Sequence, residues 1–252
     1  MKEYKNYSVK IKALTPIWTG DAKRKNTELR ETGIIGSLRW WYEALIRGLG
    51  GSACDPTDSK CEGKNHCDAC ELFGCTGWSR KFRLEVKKEK DNIITLRFIE
   101  LRDVEDVEWA LLNKTLQIIA KYGAFGGRMA ESKYGLINIV QNDLNSFLID
   151  QTILRGYFRK KGSNVDNPNI KRFIFITSNL TYEMVKEMKN TLTFLKGRKG
   201  KGKRYFYKES DGNPNRLFVY AVNDEEYNQI VNFLKDKSVL FVEGKEILEG
   251  LK

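Results

Sequence analysis

The chain has 252 residues, with 44 Lys and Arg against 33 Asp and Glu, a formal net charge of +11, 41% hydrophobic residues, five cysteines and one histidine. This length supports one large domain or two modest ones, and clustered Lys and Arg favour an anionic polymer as partner, with plain solubility the simpler alternative. No run of about 18 apolar residues and no apolar leader is present, so the expectation is a soluble cytoplasmic protein with no membrane span and no disulfide framework.

YSVKIKAL (7–14) alternates and predicts a strand, followed by a long polar loop to Thr32. SLRWWYEALIRGLGG then places Leu38, Trp41, Leu45 and Leu49 at helical spacing, with Ser37 as candidate N-cap and Gly50 as terminator. Neighbouring helix positions diverge, so Trp40 is left for a second domain, a partner, a base or simply the core. A Cys-rich insertion (51–79) follows. Strands at 81–88 and 93–101 flank an Asp-Asn turn, a helix covers VEDVEWALLNKTLQIIAKYG, and LINIV (136–140) is a short strand. The order is strand, helix, strand, strand, helix, strand, that of a ferredoxin-like domain.

The second half repeats this order without obvious sequence identity. LNSFLIDQTILRGYF (144–158) predicts a linking helix; strands are expected at 171–178, 203–208, 216–222 and 239–242, and helices at 181–195 and 223–236. The fold class is therefore α+β, with two ferredoxin-like (RRM-like) domains. They span 1–142, with the Cys-rich insertion, and 143–252, with a basic loop at 196–208. Each would leave a sheet face or its edge loops free for RNA, although neither half shows the exposed aromatic motifs of the common RNA-binding module.

CDPTDSKCEGKNHCDACELFGC (54–75) contains all five cysteines and the only histidine. A polar loop with a C-x-x-C pair suits one structural zinc ion, which would stabilise an insertion with few apolar side chains. Unliganded thiols and a redox pair are the alternatives. Cys54, Cys61, Cys67 and Cys70 are the expected ligands; His66 is able to replace one, and Cys75 sits among apolar neighbours as a small core side chain. A closed site leaves His66 structural, not catalytic.

KYGAFGGRMAESKYG (121–135) presents Gly123, Gly126, Gly127 and Gly135, which permit close approach and N–H groups facing a phosphate, with Arg128 as a charged donor. It is not a P-loop, and a tight structural connector is the alternative. Further RNA-binding candidates are Lys23, Arg24, Arg30 and Arg39 around the start of the first helix, where backbone N–H groups favour an anion. KGRKGKGKRYFYK (196–208) has seven positive and no negative charges and adds Arg198, Lys199, Lys201, Lys203 and Arg204. Catalysis lacks a free histidine or paired carboxylates, since Asp103, Glu105, Asp106 and Glu108 read as dipole partners at a helix start.

LTPIWTG, RETGIIGSLRWWYEALIRGLGG, CDPT, CDACELFGCTGW and YGAFGGR resemble the RAMP superfamily of type III CRISPR-Cas effector complexes, most specifically the first-numbered RAMP subunit of the type III-B (Cmr) complex. The resemblance covers roughly residues 10–140. It implies two ferredoxin-like domains and a non-catalytic subunit near the guide RNA 3′ end, helping to retain guide and capture target RNA. The implied partners are guide CRISPR RNA, complementary target RNA and other RAMP subunits. Two other readings are a stand-alone metal-independent endoribonuclease processing CRISPR RNA and a protein-only scaffold.

Overall fold

A computed structural model describes residues 5–21, 25–55, 61–158, 168–176, 180–197, 202–209 and 215–250. In chain order the elements are β1 (Asn6–Ala13), α1 (Glu31–Leu49), α2 (Asp68–Phe73), β2 (Phe82–Lys88), β3 (Ile93–Glu100), α3 (Asp106–Tyr122), β4 (Ile137–Asn142), α4 (Gln151–Tyr157), β5 (Phe173–Ile176), α5 (Tyr182–Thr191), β6 (Tyr205–Lys208), β7 (Arg216–Tyr220), α6 (Asp224–Asp236), β8 (Val242–Glu243) and α7 (Gly244–Glu249). They build two four-stranded antiparallel sheets, ordered β2-β3-β1-β4 and β6-β7-β5-β8. This mixed α+β arrangement is compatible with two ferredoxin-like domains, with the cysteine stretch in the first.

The first sheet follows directly from its alternation. Val9 and Ile11 of β1, Leu84 of β2, and Leu96 and Phe98 of β3 are buried beneath α1 and α3, while Lys10, Lys12, Arg83 and Arg97 take the opposite side. Asp91 and Asn92 turn the β2–β3 hairpin with φ of 56° and 60°, the left-handed pair that matches strand twist.

Local chemistry moves several predicted boundaries. α1 begins at Glu31, so Ser37 lies inside the helix and is not its cap; its hydroxyl instead accepts the Gly126 N–H at 2.9 Å. Gly50, left-handed at φ 97°, ends the helix as expected. The helix predicted over 144–158 is divided into a 3-10 turn at Asp143–Ser146 and α4, because Asn142 caps the first and Asp150 caps the second through Thr152 and Ile153 N–H. α2 and α7 carry no long periodic pattern and are absent from the sequence reading.

α1 also joins the two sheets. Trp40 meets Phe173, Phe206 and Tyr220 edge-on at centroid distances of 6.0, 6.4 and 6.3 Å, and Trp41 packs on Phe173 and Phe218 at 5.7 and 5.1 Å. Both tryptophans therefore pack on the second sheet, with their own rings edge to face at 5.0 Å and Phe173 common to both. The aromatic side of that sheet is covered by α1. Its other side, with Ile174, Ile176, Leu217 and Val219, forms a separate core with α5 and α6. The expected open face is thus missing from the second sheet and present on the first.

Candidate metal centre and nucleic-acid interface

The turn after α1 brings Cys54 against α2, where Cys67 at the N-cap and Cys70 three residues on lie on one side of the first turn. Arg47 holds the approach by donating to the Ala53 and Cys54 carbonyls at 3.2 and 3.0 Å, and Asp68 accepts from Ser52 N and Oγ at 2.6 and 2.8 Å. The sulfurs of Cys54, Cys61, Cys67 and Cys70 consequently lie within 4.8 Å of one another.

Metal–sulfur bonds of about 2.3 Å in a tetrahedron require sulfur–sulfur edges of about 3.8 Å, so the cluster needs only a small contraction to hold an ion. Cys54 and Cys70 sulfurs are already 3.5 Å apart, and the Cys54 and Cys67 amides point at the sulfurs of Cys67 and Cys61, each at 3.3 Å. Four soft donors with amide support fit a thiophilic metal. The Cys67 thiol is pushed up to about 12, first by its contact with Cys54, and Cys70 is raised by Cys54 and Cys67. The Cys67 and Cys70 thiols thus resist ionising beside their sulfur neighbours, and a bound cation is what reverses that preference.

His66 has a separate place. Its Nδ1 lies 2.6 Å from the Gly63 carbonyl, its Nε2 lies 2.6 Å from Glu71, and its ring stacks on Trp78 at 4.5 Å. Cys75 is half-buried beside the Thr76 carbonyl and lies outside the four-sulfur group.

Below the cluster, Lys81 Nζ bridges Glu71 and Glu108 at 2.9 and 2.7 Å, and the Tyr157 hydroxyl donates to Glu108 at 3.0 Å. Burial works against the Lys81 charge, but Glu108 and Glu71 outweigh it and raise the amine; Glu108 is itself raised by burial, with Lys81 opposing. Glu108 is thus more than a dipole partner. It anchors a buried charge chain linking α3, β2 and the Cys-rich insertion.

The basic residues selected from the sequence divide sharply. Arg39 does not face solvent phosphate: its Nε donates to Glu43 at 2.7 Å, Nη1 to the Gly74 carbonyl at 2.9 Å, and Nη2 to Cys70 and Cys54 sulfurs at 3.1 and 3.6 Å. Arg204 is likewise engaged, with Nη2 on the Phe194 carbonyl at 2.7 Å and the guanidinium paired with Glu226. Arg30 and Lys203 are exposed, and Arg128 lies over the Trp18 ring at 4.6 Å while pairing with Glu131 at 3.1 Å. Lys23, Arg24, Arg198, Lys199 and Lys201 lie outside the described residues.

The glycine stretch is a connector whose N–H groups are already engaged, contrary to the expectation that they face a phosphate. Gly123 donates to Ile118 and Ile119 carbonyls, Gly126 to Ser37 Oγ, Gly127 to the Trp18 carbonyl and Gly135 to the Pro16 carbonyl, at 2.6–3.1 Å. A side chain at Gly123 would collide with the Trp41 ring, and one at Gly127 with Trp18. Glycine is required here by close packing against two indoles.

Sequence reasoning expected a free sheet face but did not single out the lysines that lie on that of the first sheet. Lys10 and Lys12 were visible at alternate positions of β1, and Lys87 aligns with Thr95 and through it with Lys10. Only the strand pairing reveals that they are neighbours.

Residues 10–130 match the family model of the RAMP superfamily, which supports membership of that superfamily. No curated protein matches the chain. Among solved structures, a crystal structure of a candidate chlorite dismutase, TA0507, is 11% identical over 99% of this chain and 100% of that chain, with a TM-score of 0.20. A score that low carries no argument about fold or function.

Proposed function

We propose, from the RAMP-superfamily match over residues 10–130, that this chain is a non-catalytic RNA-binding subunit of a type III-B CRISPR RNA-guided effector complex. RAMP-superfamily proteins are associated with CRISPR-Cas complexes and RNA binding. In this reading the chain is cytoplasmic, lies near the guide RNA 3′ end, helps retain guide and capture target RNA, and contacts other RAMP subunits. It comprises two domains, divided at about residue 142, that are held together by α1. No helix among the described residues is long and apolar enough to cross a membrane.

The supporting chemistry is electrostatic. Net charge of +11 favours a polyanion, and exposed Arg30, Arg128 and Lys203 are available for phosphate, joined in sequence by Lys23, Arg24, Arg198, Lys199 and Lys201. We assign the four-cysteine cluster to structural zinc, since a closed four-thiolate set leaves no coordination position for substrate. His66 is buried and held between Gly63 and Glu71, which favours a role without catalysis.

Affinity purification from native cells, with sequencing of bound RNA and mass spectrometry of bound protein, tests this reading. Recovery of CRISPR guide RNA with other RAMP subunits is expected. Recovery of neither, or cleavage of repeat RNA by the purified chain alone, overturns it.

A further inference from the structure

The first sheet has one side packed on α1 and α3 and one side open. Strand register places the open side in rows: Arg83, Ile99 and Asn6; then Glu85, Arg97 and Ser8; then Lys87, Thr95, Lys10 and Gln141; then Ile93, Lys12 and Asn138. Five of these side chains are cationic and one is acidic. Glu85 lies between Arg83 and Arg97, at 2.7 and 3.6 Å, and is neutralised there. Two further carboxylates meet this side: Glu89 accepts from Thr95 Oγ1 at 2.8 Å, in the row between Lys87 and Lys10, and Asp143 accepts from Ser8 N at 2.9 Å. Lys10, Lys12 and Lys87 have no carboxylate partner among the described residues.

We infer that this open side of the first sheet is a second RNA surface, one that holds the sugar–phosphate backbone through Lys10, Lys12 and Lys87 and does not read bases. The inference rests on the RNA-binding reading above. Lys10 and Lys12 project to the same side two residues apart, about 6.8 Å along the strand, and Lys87 lies two strands away, about 10 Å across. Three ammonium groups at this spacing form a patch that meets neighbouring phosphates of one strand. Asn138, exposed beside Lys12 on β4, adds an amide for phosphate oxygens and ribose hydroxyls.

The chemistry of the surface selects this occupant. Among the described residues no aromatic side chain lies on the open side, so base stacking of the kind used by sheet-face RNA readers has no platform there. Its apolar side chains are Ile93, Ile99 at 9% exposure and, at the β4 bulge on the sheet edge, Val140 at 58%, a scattered set that gives a protein partner no contiguous apolar area to bury. Unpaired lysines over a polar sheet suit contacts that strengthen binding uniformly across sequences.

The test uses the full chain and a mixed-sequence single-stranded RNA, titrated by fluorescence anisotropy between about 0.05 and 0.2 M salt. Lys10→Glu, Lys12→Glu and Lys87→Glu together are expected to weaken binding at least about tenfold and lower the salt slope by about 2, equally for different RNA sequences. The milder Lys→Gln set, checked for an unchanged unfolding midpoint, should move affinity in the same direction and guards against a folding defect. Unmodified protein with no RNA affinity at any salt overturns both the RNA reading and this inference. Unmodified protein that binds RNA, with both variant sets equal to it in affinity and slope, overturns this inference alone. So does loss of a co-purifying acidic protein while RNA affinity stays unchanged.

Discussion

The Arg39 guanidinium donates through Nη2 to the Cys70 sulfur at 3.1 Å, and the same nitrogen lies 3.6 Å from the Cys54 sulfur. A residue placed by its position near a helix start as a phosphate contact is therefore part of the cysteine cluster's surroundings. Burial opposes its charge, but Glu43 and the two cysteine sulfurs outweigh that and raise the guanidinium above its ordinary value. Four thiolates around a divalent ion leave a local charge of minus two, which a buried guanidinium partly offsets.

Arg39→Gln is accordingly expected to weaken metal binding about 10–100-fold, the range found for outer partners of metal ligands. Competition with a chromogenic chelator measures this, and cobalt substitution should show thiolate-to-metal bands at altered energy. A variant with unmodified metal affinity and spectrum would show that the contact is incidental. RNA affinity should change little, since the guanidinium does not face solvent phosphate.

Trp40→Ala should loosen the junction between the sheets, because its ring meets Phe173, Phe206 and Tyr220 while belonging to α1. A loss of about 3 kcal/mol is expected, together with separation of unfolding into two transitions. Calorimetry of the variant checks both. A single transition at the original midpoint would contradict α1 as the joint.

Lys208 is completely buried, and burial lowers its pKa to about 7, with Glu131 opposing. Its Nζ donates to the Glu131 carbonyl at 2.8 Å, a bond the neutral amine retains. Between pH 7 and the ordinary lysine value of 10.5 the unfolded chain binds a proton that the folded chain lacks, so this residue makes stability rise with pH across that window and contributes no slope below it. Lys208→Met removes the dependence, gaining on the unmodified protein by about 1.4 kcal/mol for each unit that pH is lowered within the window. Urea unfolding across this range reads the difference, and parallel pH profiles would count against it.

Gly126→Ala should cost about 1–3 kcal/mol, since φ is +95° there and an added Cβ would lie 2.7 Å from the Trp18 carbonyl. The Gly126 N–H already bonds Ser37, so RNA affinity of the folded fraction is expected to stay unchanged. Denaturant melts paired with binding titrations separate the two effects.

Alternation and turn chemistry made most of the fold legible in advance. YSVKIKAL, KFRLEVKK and NIITLRFIE carry their own register in the spacing of Val9, Ile11, Leu84, Leu96 and Phe98, and Asp91-Asn92 announces its hairpin. The periodic run over 144–158 does not form one helix, because Asp150 offers the backbone a new cap within it. The four clustered cysteines were also legible, because ligand type and local spacing restrict them to one loop and one short helix.

The sequence by itself determined the alternating strands, the amphipathic helices, the basic excess and the four-thiol set, since each depends on residues close together along the chain. Only the tertiary structure decided which charges remain available. Arg39 and Arg204 turn inward because a buried sulfur cluster and Glu226 offer them partners distant in sequence, while Lys10, Lys12 and Lys87 become one patch through strand pairing. A charge is counted from sequence, but its partner is set by packing.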